Sequence, residues 1–244
     1  MKELVRTIKQ TFQVHGSDSV FGLLASIGGA VFGILLVLII MAVDGTGEDY
    51  GMIGTMMALL SGMITIVLGG VFSTQSEFNL AISMGKTRRC FVPARYLKLV
   101  VDTVIVEGVV ILTSVVEKAL YPAFYPGTVC ELGFEFFTGN PVVLIGVALG
   151  APVLVLLMGA LMMKFSAKFL WVFWVLWMLC CMVVPRIMRV MEESPDSRLA
   201  KLGNGVLEFL EKKPTASGVV VFVTVIAVLM ALTYGLFRKQ RVTA

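Results

Sequence analysis

An all-α integral membrane protein with six transmembrane helices is the fold class this sequence predicts, on three observations. Hydrophobic residues make up 58% of the 244 positions and charged residues 15%, a balance too apolar for a soluble domain of this length. Six stretches reach or approach the ~20 apolar residues that carry a helix across the hydrocarbon core, each bounded by charge or by Gly, Pro or Asn. Their interiors, such as GILLVLIIMAV and PVVLIGVALGAPVLVLLMGALMM, lack the strict alternation of a transmembrane strand. The spans run approximately over 21–43, 50–72, 99–116, 141–163, 169–184 and 218–237, and the chain 1–244 reads as one transmembrane domain without internal repeats.

Before the first span, MKELVRTIKQTFQV places Leu4, Ile8 and Phe12 at helical spacing among Lys2, Arg6 and Lys9. That pattern suits an N-terminal interfacial helix lying on anionic lipid. The first apolar run is longer than the core of a signal peptide and follows this polar stretch, so it is read as a span. Thirteen Lys and Arg fall on the side of the N-terminus and seven on the other, which predicts that both termini are cytoplasmic. The outer segment 117–140 carries YPAFYPG and Phe134, Phe136 and Phe137, aromatics suited to interface anchoring. A second outer segment, 185–217, puts Leu199, Leu202, Val206 and Phe209 on one helical face and predicts an outer surface or re-entrant helix before the last span.

The cytoplasmic segment between the second and third spans, 74–98, is longer than a simple reversal needs. Phe78, Ala81, Ile82 and Gly85 recur at helical spacing, and Gly85 is a suitable helix stop before Lys86, Arg88 and Arg89. A short cytoplasmic helix with an apolar face and a basic end follows, fit to lie on the membrane or to dock into a partner's groove.

The phrase SEFNLAISMGKTRRCF resembles the loop after the second span in bacterial ABC transporter permeases of the type-2 exporter class. Such permeases also have an N-terminal interfacial helix, six spans and an outer helix before the last, so the likeness covers the architecture, while its sequence-specific part covers about sixteen residues. The resemblance implies an inner-membrane permease subunit that moves a peptide, lipid-like or drug-like substrate outward. It implies a second permease copy or paralogue as partner, and a separate ATPase subunit that binds the ATP and Mg. In that family the loop is a coupling helix docked on the ATPase, a role that by position falls to Glu77, Phe78, Ala81, Met84, Gly85, Arg88 and Arg89.

The competing signals are weak. Gly85-Lys86-Thr87 imitates the end of a phosphate-binding loop, but the required earlier glycine is Leu80. Glu192-Glu193 with Arg198 misses the spacing of an intramembrane protease signature by one residue, and the one histidine, His15, has no partners for metal or acid–base work. Cys90, Cys130, Cys180 and Cys181 show no metal-ligand spacing. No catalytic residue, bound cofactor or metal is therefore expected in this chain, and its surroundings are lipid rather than nucleic acid.

Inside the third span, Asp102 and Glu107 each cost about 2.5–3.5 kcal/mol near a helix centre and need a partner or a wet path. Asp102 follows Lys98 by four residues near the cytoplasmic end, which suits a local ion pair reaching toward the interface, and its other reading is a place with Glu107 on the translocation path or dimer interface. No base lies at the depth of Glu107, so two readings stand: a helix-packing hydrogen bond, or a place on the translocation path or dimer interface. Thr65, Thr103, Thr113 and Ser114, with Gly62, Gly69, Gly70, Gly159 and the Gly146/Gly150 pair, permit close helix approach. Trp171, Trp174 and Trp177 suit lipid-facing anchoring. The alternative to an exporter subunit is an ATP-independent membrane protein, a secondary carrier or an immunity or signalling component, although no pair of broken spans marks a carrier.

Overall fold

The computed structural model describes residues 16–44, 50–85, 87–124, 130–131, 141–166 and 216–239, with short helical pieces between 168 and 183. Five helices appear: α1 (Gly16–Asp44), α2 (Ile53–Ser83), α3 (Arg88–Phe124), α4 (Pro141–Phe165) and α5 (Ala216–Lys239). All five are long and apolar enough to cross a membrane, and they coincide with predicted spans one to four and six. Of the fifth, 169–184, the described residues are helical in short pieces. The N-terminal interfacial helix and, up to residue 215, the segment 185–217 expected to hold the outer helix lie outside the described residues, while 216 and 217 open α5. Two residue pairs form a parallel bridge, β1 (Tyr50–Gly51) with β2 (Cys130–Glu131), joining the segment before α2 to that after α3.

The structure differs most from the sequence expectation between spans two and three. Residues 74–83, expected as a separate helix, are the last turns of α2, and α3 begins at Arg88. The 31 residues of α2 and the 37 of α3 correspond to about 46 Å and 55 Å of helix, against roughly 30 Å of hydrocarbon. Polar residues do not end these helices because they are satisfied within and between them: Thr74 Oγ1 donates to Gly70 O one turn back in α2 (2.5 Å), and Glu77 on α2 meets Arg95 on α3. The chain reverses at 84–87, where Gly85 takes φ +73° and its N–H donates to Ile82 O (2.9 Å). Gly85 is therefore the helix stop its place in the sequence suggested, since a left-handed residue there favours glycine.

The α2–α3 hairpin packs against α1 and α4, and α5 rests on α4 and the start of α3. Small residues set the approach. A Cβ on Gly33 would lie 2.5 Å from Gly54 Cα, so α1 crosses α2 nearly backbone to backbone, and one on Gly159 would lie 2.6 Å from Thr74 Oγ1, so the α4 backbone sits directly on the Thr74 side chain of α2. Gly146 and Gly150 instead face the ring of Phe222 on α5 at 3.8 and 3.7 Å, so this pair receives an aromatic side chain rather than a helix backbone.

Candidate functional site

Four buried acids lie along the hairpin, and their partners divide it into zones. Nearest the turn, Arg95 Nη2 is 2.7 Å from Glu77 Oε1 and donates to Ser73 Oγ (2.7 Å), with both charged side chains buried. Beside this pair, Phe78, Phe91 and Phe237 form a closed triangle of rings with centroids 5.4–5.5 Å apart, tying the end of α5 to both arms of the hairpin. Ala81 packs into the same cluster.

Of the residues assigned to docking, Glu77, Phe78 and Ala81 thus point into the protein. Met84 and Gly85 are exposed at the turn, and Leu80, Ser83 and Thr87, which the sequence did not single out, are exposed with them. Arg88 and Arg89 form the first turn of α3. The structure therefore puts Glu77, Phe78 and Ala81 inside the protein and Met84 and Gly85 at its surface.

One zone deeper, Lys98 Nζ donates to Asp102 Oδ2 (2.7 Å), and Ser19 Oγ on α1 donates to Oδ1 (2.5 Å). The local ion pair expected from the sequence is present, with Lys98 1% exposed rather than stretched toward water. Arg95, Lys98 and Asp102 line one side of a cavity of about 280 Å³ whose other side is Phe21, Thr65, Gly69 and Ser73.

Glu107 stands alone. It is 7% exposed, and its Oε1 is buried with no hydrogen-bond partner among the described residues. It borders a second cavity, about 240 Å³, lined otherwise by Leu59, Leu60, Met63, Val110, Leu144 and Val147. The hydroxyls of Thr103 and Thr113 donate to the carbonyls of Leu99 and Val109, and that of Ser114 to Ile111 O, so none serves Glu107.

Farthest from the turn, Glu117 is fully buried and accepts four hydrogen bonds: from Gly54 N and Thr55 N (2.8 Å each), Thr55 Oγ1 (2.5 Å) and Tyr121 Oη (2.5 Å). These are the first N–H groups of α2, whose N-cap residue Met52 supplies no side-chain bond. Glu117 caps α2 from another helix, where the positive end of the helix dipole and free donors both favour a carboxylate. Sequence reasoning placed Glu117 in an outer loop. The signals that could have found it are the uncapped start Met52-Ile53-Gly54-Thr55 and the i,i+4 spacing to Tyr121.

Trp171 and Trp174 are exposed and in edge contact, centroids 6.1 Å apart, as suits anchoring in lipid. Among the described residues no three His, Cys, Asp or Glu side chains gather as a metal site. With five membrane-length apolar helices and acids buried between them, the chain is of the multi-pass membrane class. Compared with protein-family models, characterised proteins and solved structures, it matches none.

Proposed function

We propose that this chain is the permease subunit of an ATP-driven exporter in a bacterial inner membrane, worked by a separate ATPase that docks on the tip of the α2–α3 hairpin. The observation that carries the reading is the hairpin itself: two helices longer than a crossing requires, cross-braced by a buried ion pair and ending in an exposed turn. It coincides with the segment SEFNLAISMGKTRRCF, whose likeness to the coupling region of type-2 exporter permeases suggested docking.

A partner that hydrolyses ATP moves membrane helices only through a stiff element. Met84, 48% exposed, and Leu80, 41% exposed, offer apolar anchors at the turn, with Arg88 and Arg89 as the basic rim. Displacement of the tip passes through Glu77–Arg95 and the Phe78–Phe91–Phe237 triangle into α2, α3 and α5 together. On this reading Glu77, Phe78 and Ala81 brace the lever, and Met84, Gly85, Arg88 and Arg89 meet the ATPase. Both termini are then cytoplasmic, and a second permease copy or paralogue completes the transporter. An ATP-independent carrier is the second reading, and the lone acid Glu107 within a span is the observation in its favour.

The test is co-expression with the ATPase encoded beside the gene. A detergent-stable complex with vanadate-sensitive ATP hydrolysis is expected, and M84D with R88E and R89E should abolish the complex while membrane insertion is unchanged. A chain that inserts and transports with no ATPase contradicts the reading.

A further inference from the structure

We propose that the cavity beside Glu107 is a binding site for a small lipophilic organic cation. Three observations meet there. Glu107 lies nine residues from Lys98 and ten from Glu117 on α3, about 14 Å and 15 Å along the axis, so it sits near the middle of the span. Every other buried acid of the hairpin has its partner: Glu77 has Arg95, Asp102 has Lys98 and Ser19, and Glu117 has the start of α2. Glu107 Oε1 is buried with none among the described residues, beside about 240 Å³ of space whose other described walls are aliphatic or thioether side chains from α2, α3 and α4.

The chemistry of those walls selects the occupant. Water needs two to four polar partners and has one carboxylate here. A metal cation asks for roughly six oxygen ligands, and the site offers one residue with any. A neutral apolar molecule fills the space but leaves a buried acid unpaired. An organic cation meets both demands, its charge against Glu107 and its body against Leu59, Met63, Val110 and Val147. Scaled from the smaller apolar cavity that holds benzene, the volume takes roughly ten non-hydrogen atoms, the size of an aryl or short alkyl ammonium. Leu60, 43% exposed, forms the wall nearest the surface of the helices.

The site stands on Glu107 and its cavity. That its ligand is the transported cargo rests on the exporter reading, so binding is measured on the full chain without any ATPase, where the two can fail separately. The probes are benzyltrimethylammonium and neopentylbenzene, which share a shape and differ in charge, applied by equilibrium dialysis to the protein in lipid nanodiscs. Saturable binding of the ammonium is expected, about tenfold or more tighter than that of the hydrocarbon. E107Q should weaken the ammonium by about tenfold or more and leave the hydrocarbon within about twofold. V147F, which fills the cavity from α4 without touching the acid, should weaken both and keeps the site testable if E107Q does not fold. Equal binding of the two probes, ammonium binding unchanged in E107Q or V147F, or no saturable binding overturns the proposal. A salt bridge from a second copy's basic side chain to Glu107 would show as that last outcome.

Discussion

Glu117 and Arg95 show how this protein keeps charge inside an apolar body: one acid is spent on backbone donors, the other pair on each other. A carboxylate that accepts four hydrogen bonds at a helix start leaves two N–H groups and the Thr55 and Tyr121 hydroxyls without their acceptor when removed. We expect E117A to cost about 2–4 kcal/mol in reversible unfolding in mixed micelles, and E117Q less, because the amide oxygen still accepts. For Glu77 and Arg95 the cost lies in leaving one charge alone. R95A should cost about 3–5 kcal/mol, whereas E77L with R95L should recover most of that loss, measured in the same assay. A double variant as damaged as the single would show that the pair contributes more than mutual neutralisation.

At this scale the sequence was partly legible. Lys98 and Asp102 announced their pairing because partners four apart on a helix share a face. Glu107 announced its isolation because no base lies at its depth. Glu77 and Arg95 did not, since their contact depends on a turn that brings α3 back along α2. Glu117 was misplaced because hydropathy ends a span at the first charge, although a charge with four donors is no reason for a helix to leave the membrane.

At the scale of the element, the hairpin is the feature that hydropathy divides wrongly. Residues 74–98 read as a loop with a helix in it because their charges were counted singly. Glu77 and Arg95 pair across the two helices, Lys98 pairs within α3, and the turn shrinks to the residues between Ser83 and Arg88. The stop itself was legible, since Gly85 is the residue type that tolerates φ +73°. G85V should therefore strain the turn by about 1–2 kcal/mol, read as a lower unfolding midpoint with the helical content of the chain unchanged. The small-residue contacts were legible as a class but not as partners. Gly159 meets Thr74 and demands closeness, while Gly146 and Gly150 accommodate Phe222. Accordingly G159L should separate α2 from α4 and destabilise the fold by several times more than G146A, compared in one thermal series.

For the whole molecule, the described residues place exposed apolar faces on α1 and α5, suited to lipid, and their buried acids along the α2–α3 hairpin. Composition made the membrane class plain, because 58% hydrophobic residues cannot be hidden in 244 positions. Helix contacts and cavities were beyond it, since they depend on which faces meet. On the proposed exporter reading, the exposed turn, the Glu77–Arg95 brace and the lone acid Glu107 lie along one pair of helices, and the turn is where an ATPase docks. The most direct measurement of that reading is a crosslink from M84C, in a chain whose own four cysteines are replaced by serine, to an ABC ATPase co-expressed from a neighbouring gene. An adduct of the chain with that ATPase that forms from position 84 and not from the mid-span control L60C is the predicted result; labelling of M84C by small thiol reagents with no adduct to the co-expressed ATPase would contradict it.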